Sequence, residues 1–186
     1  MKKLLIFSIS ILFISFSSLA QEIGGIIMPE TIKAGDSNLD LNGAGIRTKY
    51  FLKLYVGGLY LTDRDADVSK IINGNEPMAI RLHIVSSMIT SEKMENSTRE
   101  GFDKSLGGNI DPLKGEIEMF IAVFKEEIKI DDTYNMVYIP DVGVEIYKND
   151  KLSSTIKGLE FKKALFGIWL GKEPAQESLK EKMLGR

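Results

Sequence analysis

Arg47 and Tyr55 are the residues of this chain best suited to holding a charged group. Arginine offers a permanently charged, bidentate fork, and tyrosine adds a directional donor. With Thr90 and the tyrosines Tyr134, Tyr138 and Tyr147, they are the polar groups on an otherwise apolar framework. At the mouth of an apolar cavity, such groups suit a ligand with a hydrocarbon body and a carboxylate or oxyanion head. On one straight strand, Arg47 and Tyr55 would lie about 26 Å apart. They converge only if the chain turns between Arg47 and Tyr50; otherwise Arg47 is a solvated arginine.

Other chemistry is excluded by composition. The 186 residues include no cysteine and one histidine, His83, which removes thiolate metal sites, a cysteine nucleophile and most histidine-based acid–base schemes. No catalytic or metal-ligating set emerges, and no cofactor is implied. His83 sits beside Arg81 in a strand alternation and reads as structural or exposed. Gly43-Ala44-Gly45 lacks the third glycine of a phosphate cradle. The formal charge is −2, which argues against a nucleic-acid partner.

The positioning elements follow from periodicity. Residues 1–20 read as an export signal: Lys2-Lys3, an apolar run from Leu4 to Phe16, then Ser18-Leu19-Ala20. Their removal takes the formal charge to −4 and leaves 21–186 as one domain with no membrane span, periplasmic or secreted from a bacterium. Ile23 to Met28 reads as a first strand and Thr31 to Ala34 as a second, with a turn at Gly35-Asp36. Tyr50 to Leu61 reads as a long strand, with Gly57-Gly58 as a bulge or close-approach point. Arg47, Lys49, Phe51, Lys53 and Tyr55 would share one face. Thr48, Tyr50, Leu52, Leu54 and Val56 would share the other, toward the core. Met78 to Ser86 alternates as a half-buried strand. Ser91 to Leu106 reads as a helix capped by Thr90 or Ser91, and a second helix, capped by Asp111, runs to about Phe124. Three meander strands follow between Thr133 and Lys157, then helices over 160–170 and 176–184. The pattern is α+β.

Two segments resemble the chalcone isomerase-like family. The first is Leu41-Asn42-Gly43-Ala44-Gly45-Ile46-Arg47 running into Lys53-Leu54-Tyr55-Val56-Gly57-Gly58-Leu59-Tyr60-Leu61. The second, more specific, is Phe161-Lys162-Lys163-Ala164-Leu165-Phe166-Gly167-Ile168-Trp169-Leu170-Gly171-Lys172-Glu173-Pro174. The resemblance implies an open-faced β-sandwich: a large antiparallel sheet backed by helices, with a ligand cleft between them. It also implies one of two functions. The plant enzymes of the family cyclise chalcones, using an arginine that matches Arg47. Their strand threonine falls on Tyr55, their catalytic tyrosine on Thr90, a helix asparagine near Ser97 and a C-terminal hydroxyl residue on Ile168. Only the arginine survives that transfer. The plant fatty-acid-binding members pair the arginine with a strand tyrosine, as Arg47 and Tyr55 do. The expectation is therefore a non-catalytic binder of a small apolar acidic ligand such as a fatty acid, with Arg47, Tyr55 and Thr90 at the ligand. The alternative is an intramolecular lyase using Arg47 for oxyanion stabilisation.

Overall fold

The computed structural model describes residues 21–186. The expected signal at 1–20 lies outside the described residues. Seven strands form one antiparallel sheet in sequential order: β3 (Thr31–Ala34), β4 (Ser37–Lys49), β5 (Leu52–Leu61), β6 (Met78–Ile84), β7 (Thr133–Ile139), β8 (Gly143–Lys148) and β9 (Lys151–Ile156). A separate hairpin, β1 (Gln21–Ile23) and β2 (Ile26–Met28), precedes it. The helices are α1 (Val68–Asn73) between β5 and β6, α2 (Ser91–Ser105) and α3 (Lys114–Ile121) between β6 and β7, and α4 (Leu159–Leu170) and α5 (Glu177–Met183) after β9. This is the α+β, helix-backed antiparallel sheet that the sequence implies.

Alternation sorts the side chains onto two faces. Ile80, Leu82 and Ile84 of β6 enter the larger core, under the helices, while Ala79 joins Met28, Leu39, Tyr60 and Val137 on the opposite face. The helices bury stripes against the sheet: Met94, Thr98 and Phe102 of α2, and Ile117, Phe120 and Ile121 of α3. Phe102, Phe120 and Phe161 pack mutually in edge-on and tilted pairs, with centroids 5.9–6.2 Å apart. α4 is apolar nearly all round and correspondingly buried, which places it at the centre of the helical layer. A fully buried residue of this size contributes roughly 1.5–3 kcal/mol.

Four local readings need correction. Ile23 to Met28 is a hairpin, because Gly24 and Gly25 both take positive φ and turn the chain. The Tyr50–Leu61 strand starts at Leu52, after a turn at Tyr50-Phe51. Tyr50 and Leu52, expected on the core face, are therefore exposed at a hairpin tip. Gly57 and Gly58 sit in regular register opposite Gly45 and Ala44, and the bulges fall between Leu41 and Gly43 and between Arg47 and Thr48. Gly57-Gly58 is instead the close-approach point, since a Cβ on Gly57 would come within 2.7 Å of Met183 Cε and one on Gly58 within 2.7 Å of Met28 Cε. Asp111 starts a 3-10 turn, Asp111–Leu113, without acting as a side-chain cap. Thr90 does cap α2, accepting the Lys93 N–H.

Candidate ligand-binding site

The β4–β5 turn puts Arg47 directly opposite Tyr55. Eight residues of separation thus collapse to one cross-strand pair, whose Cβ atoms ordinarily lie about 5 Å apart. Tyr55 points into the helix-side core and is 8% exposed. There the indole N–H of Trp169, on α4, donates to the Tyr55 hydroxyl at 3.0 Å. The guanidinium of Arg47 is partly exposed at the rim. It donates to Gln176 Oε1 and to the Thr48 carbonyl, each at 3.0 Å. The Thr48 N–H donates to the same Gln176 oxygen at 2.9 Å.

Gln176 reaches this point because α5 lies tightly on β4. A Cβ on Gly43 would strike the carbonyl of Lys182, and one on Gly45 would come within 2.8 Å of Lys182 Cβ. The glycine pair is therefore the seat of α5. This close approach brings the residue before α5 over the end of β4.

Burial raises the Tyr55 phenol above its ordinary pKa, against the smaller opposing effects of the Trp169 hydrogen bond and the Arg47 charge. The phenol is thus a neutral donor at physiological pH. Its oxygen accepts from Trp169, and its own proton meets no acceptor among the described residues. Arg47 likewise makes no ion pair among the described residues and is held by neutral oxygens alone. A cation without a carboxylate and a phenol with an unused proton face one another across a hairpin. That pair can bind one acidic oxygen from two sides.

The other expected residues are not bonded to this pair. Thr90 is exposed and no hydrogen bond joins it to Arg47 or Tyr55. Ser97 is exposed on α2. Ile168 is buried against Gly101 of α2, where an added Cβ would come within 2.8 Å of it. His83 bonds Asp131 at 3.1 Å. Among the described residues no group of three His, Cys, Asp or Glu side chains could hold a metal. A surface pocket of about 220 Å³, bordered by Asn75, Tyr138, Gly143 and Lys157, lies at the other end of the sheet. Tyr138 pairs with Met78, and Met78 with Leu61, six residues up β5 from Tyr55 or roughly 20 Å away. Sequence reasoning gives neither Trp169 nor Gln176 a role at the site. A lone tryptophan whose N–H needs a partner when buried is a usable signal for the first; nothing marks the second.

The chalcone isomerase-like family profile matches residues 20–185, so the chain belongs to that family. Among solved structures, a fatty-acid binding protein of Arabidopsis thaliana is similar at 21% identity and a TM-score of 0.67. The match covers 86% of this chain and 92% of the plant protein. It bears on the fold. No curated protein matches the chain.

Proposed function

We propose that this protein is an exported, non-catalytic binder of a small apolar ligand with an acidic head, of the fatty-acid kind. Arg47 and Tyr55 hold the head, and the body lies between sheet and helices. The observation that carries the reading is the pair itself: a guanidinium with only neutral partners beside a buried phenol whose proton is unused. The similar plant structure is that of a fatty-acid binding protein, which points the same way. We include Thr90, exposed at the start of α2, as a further contact for the ligand. The residues at the enzyme's donor positions support a non-catalytic role: Thr90 is engaged in capping and Ile168 has no proton to give. Each missing general acid or oxyanion donor typically removes on the order of 10²-fold in rate, so chalcone turnover should stay near background. Export rests on residues 1–20, and N-terminal sequencing of the mature protein should begin at Gln21.

Calorimetric titration of a long-chain fatty acid and its methyl ester tests the ligand reading. A charge-assisted hydrogen bond contributes roughly 1.5–3 kcal/mol, so Arg47→Ala should weaken acid binding about ten- to a hundredfold and leave the ester almost unaffected. Arg47→Lys should recover part of the loss, because it keeps the charge without the fork. Equal affinities for acid and ester in all three proteins would remove Arg47 from the head-group role.

A further inference from the structure

The tip of the β4–β5 hairpin is unlike the rest of the surface. Tyr50 is 80% exposed, Phe51 is fully exposed and Leu52 is 46% exposed, making three consecutive large apolar residues in solvent. Tyr50 and Phe51 have φ of +50° and +65°. A two-residue hairpin turn with positive φ at both positions favours Asn-Gly, because bulky side chains are strained there. An aromatic pair at this turn is thus worse for folding than a commoner pair and covers no core. Strain and exposure kept at one place point to a role outside folding. Lys49 and Lys53 flank the aromatics, both exposed. Neither makes an ion pair among the described residues, and the Lys49 ammonium sits 5.8 Å from the Tyr50 ring.

We propose that this tip docks on an anionic lipid surface, with Tyr50, Phe51 and Leu52 entering the boundary between headgroups and acyl chains and the two lysines engaging the headgroups. The chemistry fits that occupant. Aromatic side chains favour the membrane interface, and nearby lysines are drawn to anionic lipid. The shape fits as well: a convex tip of three residues is far smaller than the surface a stable protein partner would bury. The formal charge of the whole chain is −2, so the attraction is local to the tip. Among the described residues no helix is long and apolar enough to cross a membrane. The contact is with the lipid surface alone, and it does not depend on Arg47 holding a ligand.

The test places a reporter at the tip. Trp169 is the only tryptophan and is buried, so Phe51→Trp adds an indole that reads the tip alone. With vesicles of phosphatidylglycerol and phosphatidylcholine, its emission should shift to the blue and be quenched by brominated acyl chains. Phosphatidylcholine vesicles should give a far weaker response. In that background, Lys49→Gln and Lys53→Gln should each weaken apparent binding to anionic vesicles about fivefold. Separately, Tyr50→Asn with Phe51→Gly should raise the melting temperature by about 2–4 °C by relieving the turn. Emission that stays water-like with anionic vesicles would overturn the proposal, as would equal responses on both vesicle types. A fall in melting temperature for the Asn-Gly variant would make the aromatics structural and overturn it too. Shielding of the indole by a co-purifying protein, without vesicle quenching, would assign the tip to a protein groove instead.

Discussion

The two ends of α4 each set a cation against a tyrosine, and they are built to opposite purposes. At the N-terminal end, Lys162 is fully buried, and its ammonium donates to the carbonyls of Ile71, Ile72 and Gly74, each at 2.8 Å. The ammonium also lies 5.4 Å from the Tyr138 ring, and the Tyr138 hydroxyl donates to Asn75 at 2.6 Å. Every donor in that set has an acceptor, and the ammonium's acceptors are backbone oxygens at the end of α1. Two helical turns on, Trp169 reaches Tyr55 beside Arg47. There the guanidinium rests on a side-chain amide and one carbonyl, and the phenol proton is unused. The first arrangement cannot be improved by a ligand and the second can. A satisfied buried cation fixes structure, whereas a half-satisfied cation at the rim of a core has binding capacity left over.

The largest expected effect separates these roles. Lys162→Met leaves three carbonyls without their donor, at about 1–3 kcal/mol each. Removing the desolvated charge returns roughly 3 kcal/mol, since burial, with the Lys163 charge adding, pushes Lys162 down to about 8. The net loss should be about 3 kcal/mol in chemical denaturation, with fatty-acid affinity unchanged. Arg47→Ala should show the reverse: a large loss of affinity and a stability change within about 0.5 kcal/mol, as for a surface substitution. If both variants lost stability alike, the contrast between the two ends would be gone.

The sequence carried much of this and hid the part that matters most. The strand alternation of β6, the buried stripes of α2 and α3 and the capping by Thr90 follow from period and cap chemistry. The Gly24-Gly25 turn also had its signal, two adjacent glycines in an apolar run. The β4–β5 turn had none, because Tyr50-Phe51 has the composition of a strand interior and takes a conformation that such residues avoid. Joining Arg47 to Tyr55 depends on that turn, so strand periodicity alone leaves them as two separate residues, and only the family resemblance joins them as a site. Gln176 was invisible for a different reason. Its role comes from α5 settling onto Gly43 and Gly45, a tertiary contact with no local pattern.

A smaller effect uses pH to sharpen the comparison. Lys162 has a folded pKa near 8, below the ordinary lysine value of 10.5. Below pH 8 both states are protonated and the burial penalty is present in full. As pH rises through 8, the folded state releases its proton first, so stability should increase until the unfolded chain also titrates near 10.5. Between roughly pH 7.5 and 8.5 the gain should be about 0.7 kcal/mol. It should vanish in Lys162→Met, measured as the difference between the two denaturation profiles. A flat difference would mean that the three carbonyls hold the proton against desolvation.

An effect of similar size tests the other end of α4 directly. Gln176 Oε1 receives the Arg47 guanidinium and the Thr48 N–H, which is the arrangement a ligand carboxylate oxygen would take. A ligand head must therefore displace the amide or share its donors. Gln176→Ala removes the competitor, and a neutral hydrogen bond contributes about 0.5–1.5 kcal/mol. Acid affinity should rise by roughly two- to tenfold. Gln176→Glu should do the opposite, because its carboxylate becomes a built-in head group for Arg47. Such a partly exposed pair adds only about 0.2–1 kcal/mol to stability, yet it repels an incoming acid as well as occupying its place. Ester affinity should follow neither change. If alanine and glutamate at position 176 shifted acid affinity in the same direction, the amide would be holding α5 on β4 and not standing in for the ligand.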